Sequence, residues 1–283
     1  MTRISDLLAE GPTLSFEFFP PATAAGVDAL DAAVAELAVL DPSFVSVTYG
    51  AGGSNRDRTR QIVARITESQ RYPAMPHLTC IGHTREELVD LVDGYLAAGI
   101  ENILALAGDP PADGSPAIGD FEHAADLVEL IRTRSDAAVG VAAFPEGHPR
   151  SASLSQDRRH LAAKLQRADF GITQFFFRSE HYLAMRDDLE TLGCEVPVLP
   201  GLMPMLNPTA VKRFADMNGT WFDTALADKV EAADESDRLM IAADAAAELA
   251  NELIAAGTPG IHVYCLNRAA TAIALVERLN AFR

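Results

Sequence analysis

The chain has 283 residues, of which 48% are hydrophobic and 22% charged, and its formal net charge is -17 at pH 7. This composition is typical of a globular protein with enough apolar side chains for a buried core. The negative charge argues against a function in binding nucleic acid or an anionic membrane surface, because both would repel the protein.

The predicted elements alternate from one end of the chain to the other. Eight β-rich runs are predicted as strands, in the order Thr13–Phe19, Ser43–Tyr49, His77–Ile81, Asn102–Ala107, Ala138–Phe144, Gly171–Phe177, Val196–Leu202 and Gly260–Leu266. Eight longer segments of helical period follow them, namely Gly26–Leu40, Arg56–Glu68, Arg85–Ala98, Phe121–Ser135, Ser155–Ala168, His181–Leu192, Asp237–Ala256 and Arg268–Phe282. Strand–helix alternation repeated in this way predicts an α/β protein with a (β/α)8 TIM-barrel fold, formed as a single domain by residues 1–283.

An open, doubly wound sheet is the competing fold. It would normally carry a glycine-rich phosphate turn after an early strand, and the chain has neither a GxGxxG nor a GxxxxGKS motif. The long interval between the last two predicted strands has room for an extra helix around Pro208–Met217 and a polar loop around Asn218–Ser236.

The cysteines and the N-terminus bear on location. Cys80, Cys194 and Cys265 are odd in number and form no CxxC pair, which indicates reduced thiols rather than a disulfide framework or a zinc site. The chain shows no signal-peptide pattern, and no stretch approaches the ~18 apolar residues of a membrane span. We therefore expect a cytoplasmic protein, and the sequence leaves its oligomeric state open.

Glu17 is the most informative single residue, because it interrupts the apolar run Ser15–Pro21. A carboxylate that loses its water must pair with another group, coordinate something, or rise in pKa until it can act as an acid near neutral pH. A strand filled with phenylalanine has no structural need for this charge. Glu17 is therefore a candidate catalytic residue.

Other polar side chains lie at the predicted strand ends, namely Thr48, His77, Asp109, His148 and Gln174. The C-terminal ends of barrel strands form one rim, where the active sites of this fold lie. Simpler interpretations exist for the first four, as a strand former, a core histidine, a turn residue and an exposed loop residue. Gln174 is harder to explain, since a buried amide needs several partners and its apolar strand offers few.

Two other kinds of site are not indicated. The histidines and carboxylates could hold a metal at the rim, but the chain has no HxH or HExxH spacing, so no metal site is predicted. A serine or cysteine nucleophile is not indicated, because there is no GxSxG elbow.

Together, the rim motifs resemble those of the methylenetetrahydrofolate reductase family. They occur in family order along almost the whole chain, as SFEFFPP, VSVTYGAGGS, PHLTC, LALAGDPP, VAAFPEGHP, ITQFFF, PGLMP and LNR. The resemblance implies a (β/α)8 barrel that reduces methylene-tetrahydrofolate to methyl-tetrahydrofolate, usually with a hydride passed from NADH or NADPH through FAD. The folate and the nicotinamide dinucleotide are the partners it implies.

The resemblance also implies roles for individual residues. The methylene bridge must open to an iminium ion before it accepts hydride, and Glu17, kept protonated by apolar neighbours, would supply the proton as general acid. Asp109 and Gln174 would bind the pterin, and Arg268 the tail of the folate. The positions around the cofactor correspond to Thr48, His77, Ala107, Gly108, Phe144, His148 and Lys164.

Several positions depart from the family pattern. Ala107 replaces an arginine that holds the FAD pyrophosphate, Phe144 replaces a tyrosine, and Pro208 replaces an aromatic residue. On the sixth helix, His160 and Ala163 replace further flavin contacts, whereas Asp157 and Lys164 match. These losses favour direct hydride transfer from a nicotinamide bound in place of the flavin, and a weakened FAD site is the alternative. A barrel lyase and a non-catalytic folate-binding protein are the two more distant alternatives.

Overall fold

The computed structural model describes residues 2–49, 56–70, 72–109 and 119–281. The described strands are β1 Thr13–Phe18, β2 Phe44–Val47, β3 Ala74–Thr79, β4 Asn102–Leu106, β5 Ala138–Ala143, β6 Phe170–Thr173, β7 Val198–Leu199, β8 Gly201–Leu202 and β9 Gly260–Tyr264. These nine parallel strands form one sheet in the order β7-β6-β5-β4-β3-β2-β1-β9-β8. The described helices are α1 Ile4–Glu10, α2 Ala24–Ala38, α3 Arg56–Ser69, α4 Arg85–Ala97, α5 Ala124–Arg134, α6 Leu154–Leu165, α7 Ser179–Thr191, α8 Pro208–Asn218, α9 Thr224–Ala232, α10 Glu235–Ala255 and α11 Ala269–Val276.

The sheet closes into the predicted (β/α)8 barrel at Pro200. This residue separates β7, which pairs with β6, from β8, which pairs with β9. Proline has no N–H to give to the ladder, so the seventh predicted strand is divided into two short pieces. The carbonyl of Pro200 still accepts a hydrogen bond from the backbone N–H of His262, at 3.0 Å, so the chain stays attached to β9 across the break.

Side chains on the strands alternate between the outside and the inside of the barrel. Outward residues such as Phe16 and Phe18 pack against the helices in the main hydrophobic core. Inward residues at the N-terminal end form a smaller apolar layer, which includes Phe44 and Phe170 and is closed from below by Ile4 of α1. The polar inward residues lie nearer the C-terminal ends of the strands, above this layer.

Two regions differ from the expectation. Residues 218–236 were expected to be a polar loop, but α9 lies within them, capped by the Asp223 side chain, which accepts from the N–H of Leu226. The short helix α1 was not predicted, because only Ile4 within it is fully buried and its apolar pattern is weak. The extra helix predicted near Pro208 is α8, which begins at that proline. Within the described residues, no helix has the length and apolar character needed to span a membrane.

Gly201 at the start of β8 has no room for a side chain. A Cβ there would lie 2.6 Å from Cε2 of Tyr264 and closer still to the carbonyl oxygen of Thr173. Because overpacking of a core typically costs 1–3 kcal/mol, we expect Gly201→Ala to lower the free energy of unfolding by about 2 kcal/mol or more, measured by urea denaturation. Gly94→Ala in α4 is the control, since the nearest atom to its Cβ is 3.7 Å away, on Arg60. It should be neutral or raise stability by up to about 1 kcal/mol, and similar losses in both variants would contradict the packing account.

Candidate active site

Glu17 lies on the inner face of β1, close to the mouth of the barrel. Phe16 and Phe18 on either side of it point outward into the helical layer, so the alternation of the strand turns the carboxylate inward. The Glu17 side chain is 16% exposed, so the carboxylate is largely desolvated but still reaches the open end of the barrel.

The neighbours of the carboxylate are polar, and the expectation of an apolar surrounding was wrong. Oε2 of Glu17 lies 3.3 Å from Nε2 of His77 on β3 and 3.5 Å from Nε2 of His262 on β9. The hydroxyl of Ser46 on β2 donates to the same oxygen at 3.3 Å. The apolar run seen in the sequence belongs to the outer face of β1, whereas the inner neighbours come from other strands.

These neighbours determine the acidity of Glu17. Burial acts to raise the pKa of Glu17, but the charges of His77 and His262 and a hydrogen bond with each of them outweigh it and lower the pKa to about 2. Part of this lowering comes from positive charge on the imidazoles. When the imidazoles carry no charge, that part is lost and burial favours the protonated acid more strongly.

His262 is a site residue that the sequence reasoning missed. Its ring is fully buried, with Nδ1 2.8 Å from the Ser15 hydroxyl and Nε2 facing both Glu17 and Ser46. Tyr264, two residues further along β9, donates its hydroxyl to the carbonyl of Thr173 at 2.5 Å. The alternation of β9 places both side chains inward, and this was the available signal in the run Gly260–Leu266.

The ends of β1 and β9 are joined at the rim by an asparagine. The side-chain amide of Asn267 accepts from the N–H of Phe19 at 3.0 Å and donates to the carbonyl of Phe19 at 2.9 Å. Asn267 and Leu266 both have left-handed backbone conformations, with φ of 57° and 51°. Strained non-glycine residues persist where surrounding contacts hold them, and here they present Leu266 and Phe19 as partly exposed apolar side chains at the mouth.

The predicted pterin-binding residues lie at neighbouring strand ends. Asp109 is exposed after β4, directly before residues 110–118, which are outside the described part of the chain. Gln174 follows β6 and is half-buried. The side-chain oxygen Oε1 of Gln174 accepts from the backbone N–H of Phe175 at 3.0 Å. Among the described residues, the side-chain NH2 group of Gln174 has no hydrogen-bond partner. Residues 50–54, the end of the VSVTYGAGGS motif, also lie outside the described residues.

The turn after β4 requires the small residues found there. Gly108 has a φ of 90°, and a Cβ on it would lie 2.6 Å from the Ile81 side chain. The carbonyl of Ala107 accepts from the N–H of Ile81 at 2.9 Å, while its side chain is a methyl group with no hydrogen-bonding capacity.

At the end of β2, Thr48 is half-buried, and its carbonyl accepts from the hydroxyl of Thr59 at 3.0 Å.

The loop after β5 holds Phe144 and His148 together, with their rings edge to face and 4.6 Å between centroids. Arg158 of α6 fixes this loop by donating to the carbonyls of Phe144 at 2.9 Å and Pro145 at 2.5 Å. Asp157 accepts from the N–H of His148 at 3.1 Å. Burial and then the charge of Arg150 lower the pKa of His148, so its neutral form is favoured.

Lys164 of α6 points back to the end of β5. Its ammonium donates to the carbonyl of Ala142 at 2.6 Å, and burial lowers its pKa to about 8. His160 and Ala163, which replace flavin contacts of the family on this helix, are both exposed.

Arg268 lies at the N-cap of α11 and lines a cavity of about 500 Å³. Its guanidinium is exposed and has no ion pair or hydrogen bond with any residue that the structure describes. Other lining residues include Asn207 and Pro208 at the start of α8 and Arg238 of α10. No group of three or more His, Cys, Asp or Glu side chains among the described residues is arranged to hold a metal ion.

Comparison with known proteins identifies the family. A family model described as methylenetetrahydrofolate reductase matches residues 3–280. The chain belongs to the methylenetetrahydrofolate reductase family. It is 39% identical over 270 residues to the 5,10-methylenetetrahydrofolate reductase of Salmonella typhimurium, covering 94% of this chain and 90% of that protein.

More distant relatives agree with this family. Methylenetetrahydrofolate reductase (NADH) 1 of Arabidopsis thaliana is 32% identical over 295 residues, covering 98% of this chain and 50% of the plant protein. A solved structure from Clostridium thermocellum, of a protein that binds two copies of 5-methyl-5,6,7,8-tetrahydrofolic acid, has a TM-score of 0.66 over 96% of this chain and 98% of that one. At 14% identity, this likeness concerns the fold alone.

Proposed function

We propose that this methylenetetrahydrofolate reductase transfers a hydride directly from NADH or NADPH to the folate, with Glu17 as the general acid. The observation that carries the proposal is the position of the Glu17 carboxylate, which is 16% exposed at the barrel mouth and lies 3.3 Å from His77 and 3.5 Å from His262. A carboxyl group there can meet a substrate and can obtain a proton from an adjacent imidazole.

The acid step opens the methylene bridge. Glu17 donates its proton to the departing nitrogen, the bridge carbon becomes an iminium ion, and the hydride converts that carbon to a methyl group. One proton and one hydride are consumed, and the nicotinamide is oxidised. The carboxylate that remains on Glu17 stabilises positive charge nearby until a proton returns from solvent.

Three further residues would bind the folate. The unpartnered NH2 group of Gln174 suits the pterin carbonyl, and the exposed carboxylate of Asp109 suits the pterin N–H donors. Arg268, which lines the cavity of about 500 Å³, would pair with a carboxylate of the folate tail.

The nicotinamide would lie against Thr48 and His148. His77 was expected beside the cofactor, and its position facing Glu17 leads us to assign it to the acid instead. The plant relative that carries NADH in its name supports a pyridine nucleotide as the hydride donor. No basic cluster suited to a ribose phosphate is evident in the sequence, so we propose NADH as the preferred form.

The residues at the positions expected to hold FAD do not fit that group. Ala107 and Phe144 offer no side-chain hydrogen bond, and the Asp157 carboxylate is used by the N–H of His148 and the hydroxyl of Ser151. Lys164 already donates to the carbonyl of Ala142. We therefore assign no step of the reaction to FAD.

The two remaining functional classes have less support. A Schiff-base lyase needs a lysine on the barrel interior, whereas Lys164, Lys212 and Lys229 all belong to helices. A protein that only binds folate would not need a carboxyl group with two imidazoles beside it.

The direct test is an assay of the purified protein with NADH and methylene-tetrahydrofolate. We expect oxidation of NADH that depends on the folate and yields methyl-tetrahydrofolate in equal amount. Folate omission and NADPH substitution are the controls. If NADH is not oxidised in a folate-dependent way, with or without added FAD, the proposed function is wrong.

A further inference from the structure

A chain of buried polar side chains lies beneath Glu17. The Ser15 hydroxyl is 2.8 Å from Nδ1 of His262, and Nε2 of His262 is 3.5 Å from Oε2 of Glu17. Ser46 bridges the last two groups, with its hydroxyl 3.4 Å from Nε2 and 3.3 Å from Oε2. Both ring nitrogens of the buried His262 therefore take part in one series of polar contacts, which runs from Ser15 to the Glu17 carboxylate.

Strand register holds this series of contacts in place. Ser15 of β1 is the register partner of His262 in β9, and Glu17 is the register partner of Ser46 in β2. The His262 ring also stacks on Phe44 of the apolar layer, with 6.1 Å between centroids. Since side chains on paired strands have little freedom to separate, the distances within this series are set by the barrel itself.

The hydrogen bonds allow His262 to carry either one or two protons. The Ser15 hydroxyl can donate to the carbonyl of Ile261, at 3.3 Å, and accept from Nδ1–H. Nδ1 is then protonated in both states, and Nε2 is free to gain or lose a proton opposite Glu17. Gain of that proton gives an imidazolium–carboxylate pair, and its transfer to Oε2 gives a neutral imidazole beside a carboxylic acid.

We propose that His262 is a positioning residue that stores the proton of Glu17 in the free protein and returns it when the folate covers the site. The proposal rests on the proposed function. In the free protein the ion pair is favoured, because the carboxylate reaches water at the mouth. A bound folate excludes that water, so the neutral pair is favoured and Glu17 becomes the acid.

The proton transfers in this scheme balance over one turnover. Nε2 gives its proton to Oε2, Glu17 gives it to the folate nitrogen, and one proton from solvent restores the pair after the product leaves. His262 itself does not touch the substrate, because its ring is fully buried.

Other groups face the pair from the surrounding strands. Nε2 of His77 on β3 lies 3.3 Å from the same Glu17 oxygen, and the ring of Tyr264 is edge-on to His262 at 5.4 Å. The Cys265 thiol donates to the Glu17 carbonyl at 3.0 Å. Burial raises the pKa of Tyr264, and burial raises that of Cys265 to about 12, so neither exchanges a proton near neutral pH.

The first test is the pH profile of His262→Gln, which keeps a polar side chain but cannot store a proton. We expect kcat to fall by roughly 10- to 100-fold at neutral pH, with the KM for folate within about threefold. The alkaline limb of the kcat profile should move to lower pH by about one unit or more, because the proton is no longer stored on Nε2 of His262 opposite Glu17. His83→Gln is the matched control, since His83 is also buried but contacts Tyr49 and Glu87 instead, and its profile should not move.

A second measurement uses the unaltered protein. In nitrogen-15 NMR spectra, His262 should carry a proton on both ring nitrogens without ligand, and on one after methyl-tetrahydrofolate binds. The signal can be assigned from its change in Ser15→Ala. A uniform loss of activity in His262→Gln with an unmoved pH profile, or a ring that stays neutral without ligand, overturns the proposal. In either case an active unaltered protein would leave the proposed function intact, whereas an inactive one would overturn that function first.

Discussion

Glu17→Gln is expected to lower kcat by about a hundredfold or more, while the Kd for folate changes by less than about tenfold. The amide has nearly the same shape as the carboxylic acid and can accept from Ser46, but it has no proton to donate to the departing nitrogen. The loss should therefore appear in turnover rather than in binding. Stopped-flow measurement of NADH oxidation, with folate binding followed separately by calorimetry, distinguishes the two.

Glu146→Gln is the matched control for this substitution. Glu146 is also a half-buried glutamate next to a histidine, with its Oε1 3.2 Å from Nδ1 of His181, but it lies on the loop after β5 and not in the barrel interior. Its amide can still accept from the N–H of Trp221, so kcat should stay within about threefold of the unaltered value. If Glu17→Gln weakens folate binding as much as it lowers turnover, Glu17 is a binding residue and not the acid.

Turnover without flavin is the second large effect that we expect. The protein as purified should lack flavin absorbance, and added FAD should leave kcat unchanged. An arginine–phosphate pair lost at Ala107 alone costs about 1.5–3 kcal/mol of affinity, and further losses at Phe144 and on α6 add to this. Because both substrates must then be bound together, initial-rate plots should intersect and not run parallel.

A reverse substitution sharpens this prediction. Ala107→Arg with Phe144→Tyr restores two of the expected flavin contacts and should increase FAD affinity by about tenfold or more over the unaltered protein. A yellow protein whose flavin is retained through purification and is needed for turnover would contradict the direct mechanism. Parallel initial-rate lines would contradict it as well.

Most of the fold could be predicted from the sequence, because strand–helix alternation has a long and regular period. The exceptions have local causes. The seventh strand is divided at Pro200, where a ladder hydrogen bond is missing, and the strand after it needs glycine at position 201. Helix α9 was not predicted because its segment is short and only Ala227 and Val230 within it are buried, so its core-facing side is narrow.

The candidate site was predicted in part. Glu17 stood out because a charge in an apolar run has no local explanation. Its surroundings could not be predicted, since Ser46, His77 and His262 come from three other strands and meet only through the register of the closed sheet. His262 in particular is preceded and followed by apolar residues, and a single histidine in a strand does not indicate what it faces.

Direct hydride transfer is tested most sharply by following deuterium from NADH labelled at both C4 positions into methyl-tetrahydrofolate. Hydride that passes through a flavin resides on N5, where it exchanges with water, whereas hydride transferred directly never meets the solvent. We expect one deuterium in every methyl group formed, whatever the ratio of enzyme to substrate. Loss of label from the methyl group to water would contradict it.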